Sequence, residues 1–72
     1  MTDSLLPNLK KLREERGLSQ TGLADAMGTS KRSVIRWEMG DSNPTLGDLK
    51  SLAKLFDVSV AYLIGETDQR RL

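Results

Sequence analysis

Only Thr29 and Ser30 stand between Gly28, a residue suited to ending one helix, and a second helical pattern that opens at Lys31. So short a connection leaves two helices little freedom: they must cross steeply and stay in contact. Small Ala24 lies where the two axes should come nearest, and Ser30 stands where a side-chain oxygen can cap the second helix.

That second helix fills most of Gly28–Gly40, GTSKRSVIRWEMG. At about 100° per residue, Ser33, Val34, Trp37 and Glu38 fall on one side and Lys31, Arg32, Ile35, Arg36 and Met39 on the other. The first side is a packing side. The second holds three cations and two apolar side chains with no acid among them, whereas a solvated face mixes signs and avoids exposed Ile. Its natural partner is an anion with apolar spots. Nucleic acid fits, because phosphates attract Lys and Arg, base edges accept bonds from Arg, and thymine methyls pack against Ile or Met.

A net charge of +1 does not argue for nucleic acid by itself, but the distribution is uneven. Leu5 to Gly40 holds seven cations (Lys10, Lys11, Arg13, Arg16, Lys31, Arg32, Arg36) against four acids (Glu14, Glu15, Asp25, Glu38). Asp41 to Leu72 holds four cations and five acids, so the basic half contains the reaching helix. At 72 residues, 38% hydrophobic and 29% charged, the chain is expected to make one domain. Without Cys or His there is no disulfide, zinc or thiol chemistry to support or use it, so short helices must pack closely. No stretch approaches the roughly 18 apolar residues of a membrane span, and no basic-then-apolar leader opens the chain. The expectation is a soluble, cytoplasmic protein.

In chain order, Ser4 is expected to cap a first helix that runs to Arg16, with Pro7 in its first turn and Leu5, Leu6, Leu9 and Leu12 inward. Gly17 ends it. Ser19 starts a second, carrying Leu23, Ala24 and Met27 to Gly28, with Gly22 either a weak point or a place of close approach. Asp41–Pro44 reads as a polar turn. Thr45 and Asp48 make a capping-box start for a fourth helix that buries Leu46, Leu49, Leu52, Ala53 and Phe56 and ends at Asp57. Ser59 caps a short fifth helix through Ile64, and Gly65 closes it. The domain is placed at 1–65, and residues 66–72, ETDQRRL, read as a frayed polar tail or the start of a linker.

The run from Gln20 to Met39 resembles the helix-turn-helix of the Cro and phage-repressor class, the XRE type. Leu23, Ala24, Gly28, Val34, Trp37, Glu38 and Gly40 fall where that family's pattern puts them. The flanking LREERGLSQ and PTLGDLKSLAKLFDVSVAYLIG are also similar, so the likeness extends from about Leu5 to Gly65. It implies an all-α, five-helix, lambda-repressor-like fold that binds double-stranded DNA with helix 31–39 in the major groove. Lys31, Arg32, Ser33, Ile35 and Arg36 then take base-edge and groove-wall positions. Gln20 corresponds to a phosphate-contacting residue, with Ser19, Ser30 and Met39 also placed towards the backbone. Arg13 and Glu38 match a pair that bridges the first helix to the end of the reading helix. Thr29, Gly22 and Met39 depart from the usual residue types, and Ile35 stands where a polar reader is usual, which suggests contact with a thymine methyl.

For Tyr62, with Ala61, the family suggests an exposed aromatic used in self-association; burial in a satellite cluster is the other reading. A homodimer on a pseudo-palindromic operator follows from the few base pairs one domain can read. The expected function is transcriptional regulation, repressor-like, with no catalytic residue, metal, cofactor or small-molecule ligand. The alternative is a protein-interaction module, such as an antitoxin or adaptor, built on the same fold.

Overall fold

A computed structural model describes residues 5–71. Among these the chain forms α1 (Leu9–Glu15), α2 (Gln20–Met27), α3 (Lys31–Met39), α4 (Leu46–Phe56) and α5 (Val60–Leu63), with no strand. No helix among them is long and apolar enough to cross a membrane.

The first helix begins later than the sequence pattern suggests. Ser4 lies outside the described residues, and the helix opens at Leu9 after Asn8, whose side chain makes no cap. Pro7 is the physical reason: its ring disfavours helical geometry at Leu6 and it brings no N–H of its own. Asn8 instead donates through Nδ2 to the Tyr62 carbonyl at 2.6 Å, tying the chain entering α1 to α5. The inner stripe shifts with it. Leu6, Leu9 and Leu12 are buried and Leu5 is exposed.

Later boundaries follow their caps. Ser19, Ser30, Thr45 and Ser59 each accept from an amide three residues on, and Thr45 with Asp48 completes a reciprocal box at 3.0 Å in both directions. Gly28 stops α2 at φ 68, a conformation that lets the next helix start within two residues. Asp57 ends α4 at φ 56 without glycine's freedom. Gly22 is crowded only locally: a Cβ there would sit 3.3 Å from Ser19 Oγ and 3.5 Å from Leu18 Cδ2.

The core draws on every helix: Leu6, Leu9, Leu12, Leu23, Ala24, Val34, Trp37, Leu52, Phe56, Val58, Tyr62 and Leu63 form one cluster. The contact of α2 with α3 is the most extensive between helices. Leu46, expected inside, is 65% exposed at the first position of α4, before the helix has turned its apolar face onto the core.

Arg70 and Arg71, read as part of a frayed tail, are tied to the helices. Ser59 N–H donates to the Arg70 carbonyl at 2.6 Å. The Arg70 guanidinium makes a two-pronged pair with Glu15 on α1, at 2.8 and 2.7 Å, and lies over the Tyr62 ring at 5.4 Å. Arg71 pairs with Asp57. The bonds donated by Arg70 hold the Glu15 carboxyl below its ordinary pKa. Charge-rich sequence suggested solvation, but bidentate geometry on a fixed ring gives this strap a defined seat.

Two glycines test these contacts in opposite directions. Gly65 has φ 83, and a Cβ there would lie 2.8 Å from Pro7 Cγ, so Gly65→Ala should lower unfolding free energy by about 2 kcal/mol. Gly47 is helical and open, its Cβ position 3.7 Å from Thr45 Oγ1, so Gly47→Ala should raise it by roughly 0.5 kcal/mol. Urea unfolding of the two variants beside the parent measures both signs.

Candidate nucleic-acid interface

Helix α3 is seated by Val34, fully buried, and Trp37, 5% exposed. Burying two such side chains contributes about 4 kcal/mol of apolar transfer and fixes which way the helix faces. With Val34 and Trp37 inward, the 100° step turns Lys31, Arg32 and Arg36 outward, and all three are exposed. Ile35 and Ser33 are half-buried at the edges of that face, and Met39 is 58% exposed in the last turn. The face holds three cations and two apolar side chains, and α3 has no acid in its first turn.

Both helix starts on this unit carry neutral hydroxyl caps. Ser19 Oγ accepts from the Gly22 amide at 2.9 Å and Ser30 Oγ from the Ser33 amide at 3.2 Å. Ser30 and Ser33 also share a hydroxyl contact of 3.1 Å. As an acceptor in its cap, the Ser19 hydroxyl keeps its own proton for another partner, while one hydroxyl proton is taken up between Ser30 and Ser33. The first turn of α2 has no acid either.

The end of α3 is held by a buried polar cluster. Arg13 Nε donates to Glu38 Oε2 at 2.7 Å, and a second guanidinium nitrogen reaches Oε1 at 3.2 Å. A third donation goes to the Leu18 carbonyl at 2.8 Å. The two side chains are only 10% and 7% exposed. Hydrogen bonding to Glu38 raises the Arg13 pKa above its ordinary value, outweighing the opposite effect of burial. Gln20, at the first position of α2, donates through Nε2 to Glu38 Oε1 at 3.1 Å. Nothing in the sequence pattern signalled this last bond, because it joins the start of α2 to the end of α3 through the crossing angle.

Arg16, one of the cations of the basic half, is tethered. It donates to the Phe56 carbonyl at 3.2 Å and lies 6.0 Å from the Phe56 ring centre, serving the C-terminal end of α4. Tyr62 is buried, 5% exposed, beneath Arg70, so it does not present the exposed aromatic that self-association would use; Ala61 beside it is half-buried. Among the described residues no group of acidic, His or Cys side chains is arranged to hold a metal.

Two closely crossed helices with a cationic outer helix define the helix-turn-helix class of structure. The sequence pattern of the Helix-turn-helix family matches residues 9–63, and the chain belongs to that family, of the XRE type. The chain is 33% identical over 64 residues to the uncharacterized HTH-type transcriptional regulator YqaE of Bacillus subtilis, covering 88% of this chain and 55% of that protein. It is 32% identical over 60 residues to the cryptic phage CTXphi transcriptional repressor RstR of Vibrio cholerae, with 83% and 54% covered. A crystal structure of a transcriptional regulator from Listeria innocua superposes with a TM-score of 0.80 at 26% identity, covering 96% of this chain and 64% of that one. The chain spans about half the length of the two curated relatives.

The buried pair makes a direct stability test. Arg13→Met leaves the Glu38 carboxylate inside without its counter-charge and should cost about 3 kcal/mol, whereas Arg13→Met combined with Glu38→Leu should cost well under the sum of the single changes. Chemical denaturation of the four proteins in the cycle gives the coupling.

Proposed function

We propose that this domain binds double-stranded DNA in a sequence-specific way, as the DNA-binding part of a cytoplasmic, repressor-like transcriptional regulator. The carrying observation is the exposed face of α3, with Lys31, Arg32 and Arg36 outward while Val34 and Trp37 anchor the opposite face. In this reading α3 enters the major groove, whose width of about 12 Å admits one helix. Lys31, Arg32, Ser33, Ile35 and Arg36 meet base edges and groove walls, and Ser19, Gln20, Ser30 and Met39 meet the sugar-phosphate wall. The named relatives support the regulatory reading, RstR in particular for repression.

Residues 1–65 form the DNA-binding unit in this proposal, with 66–71 strapped onto it rather than serving as a loose linker. Two copies would act together, since one reading helix covers only a few base pairs. A two-fold arrangement would place half-sites about 34 Å apart on a pseudo-palindromic operator.

Selection of bound duplexes from a random pool tests the reading and reports the symmetry of the site. With Lys31, Arg32 and Arg36 shared between base edges and groove walls, the slope of log affinity against log salt should be no steeper than about −3 for each domain. Retention of no duplex at low salt would overturn the proposal, and salt-insensitive capture by a protein partner would favour the interaction-module alternative. Ile35→Ala should reduce preference for a T·A pair at one position of the selected site by about tenfold while leaving the salt slope unchanged. Competition binding with single-base-pair variants reads that change.

A further inference from the structure

We propose that Glu38 is a positioning residue for Gln20: it holds the Gln20 amide in place before DNA arrives, through the bond from Nε2 to Oε1. This rests on the DNA-binding reading above and goes beyond it, because Glu38 itself points into the protein and touches no ligand.

A glutamine at a helix start is ordinarily mobile, and ordering it on binding costs affinity. Here the amide is clamped in the free protein. A carboxylate accepts only, so the amide nitrogen rather than the oxygen must face it, and the orientation of the side chain follows from chemistry. One of the two N–H groups is used by Glu38, which leaves the other for a phosphate oxygen beside the start of α2, where Gln20 is partly exposed. The first-turn amides of Gln20 and Thr21 are not taken by the Ser19 cap, which serves Gly22, so a phosphate there meets side-chain and main-chain donors together.

The same geometry explains why Glu38 is paired with Arg13. A lone carboxylate next to a phosphate would repel it. With two guanidinium nitrogens on its oxygens, at 2.7 and 3.2 Å, the lock is neutral as a whole and can sit under a phosphate. Gln20 links that neutral lock to the surface. Because Glu38 is in α3 and Gln20 in α2, seating a phosphate on Gln20 also fixes the end of the reading helix relative to the DNA wall.

A double-mutant cycle on DNA affinity tests the assignment, using duplexes selected by the parent protein. Replacing the Glu38 carboxylate together with its counter-charge, as Glu38→Leu with Arg13→Met, should weaken binding about fivefold in the parent and less than twofold in the Gln20→Ala background, because the effect passes through Gln20. The salt slope should stay the same in all four proteins, since no phosphate-facing cation is removed. Equal losses in both backgrounds would overturn the proposal and leave Glu38 a purely structural partner of Arg13. Thermal melting of each variant identifies any that does not fold. Independently of any variant, NMR relaxation of the Gln20 side-chain amide in the free parent should give an order parameter close to rigid backbone, about 0.85. A value below roughly 0.6 would also overturn the proposal. If the parent itself selects no duplex, the DNA-binding reading fails first, and the relaxation measurement still decides whether the amide is held.

Discussion

The rest of the site depends on the angle and roll of α3, and two constraints of different kinds set them. At its start, the left-handed turn at Gly28 and the two residues after it leave no slack, so α3 begins where α2 ends. At its close, Glu38 is bonded to Arg13 from α1 and to Gln20 from α2. Val34 and Trp37 fill the space between and set the roll. An error of one residue in roll is about 100°, enough to put Arg36 in the buried place of Trp37, or Glu38 there if the roll runs the other way.

Such a lock matters more in a small domain than in a large one. A chain of this size buries a modest fraction of its surface, so apolar packing alone leaves little margin. The buried pair is not the source of that margin, since desolvation of both charges offsets much of their attraction. The pair is geometrically restrictive: a guanidinium fork meets a carboxylate in few geometries, and an apolar contact in its place would tolerate several. The additional bond from Arg13 to the Leu18 carbonyl extends that constraint to the α1–α2 connection, so three consecutive segments share one polar centre.

Helix order, the short turn and the outward cations of α3 were legible in sequence because each is local. A cap, a left-handed stop and a 100° step involve residues within a few positions of each other. The errors share a cause too. Leu5 and Leu46 look like core residues by spacing, but Leu5 lies ahead of α1 and Leu46 at the first position of α4, where the pattern extends past the point at which the chain meets the core. Pro7 moved the first start downstream, and Leu6 took the buried place. The bond from Gln20 to Glu38, the seat of Arg16 on α4 and the strap through Arg70 link residues 18, 40 and 55 positions apart. Charge composition made residues 66–71 look solvated, and only the meeting of Glu15 and Tyr62 on one surface gives Arg70 a place to bind.

The helix starts differ in a way that bears on where an anion would approach. α4 opens with a capping box whose Asp48 carboxylate already lies on the Thr45 amide, so the positive end of that helix is met from within. α2 and α3 open with neutral Ser19 and Ser30 and no acid in their first turns. A capping hydroxyl satisfies one amide and adds no charge, so the dipole at each of these two starts remains largely uncompensated. Those two helices also carry Lys31, Arg32 and Gln20. Cations, unneutralised helix starts and a neutral buried lock therefore fall on the same two-helix unit, while carboxylate capping falls on the helix after it. That grouping of charge on the unit is not visible in the chain's net charge of +1.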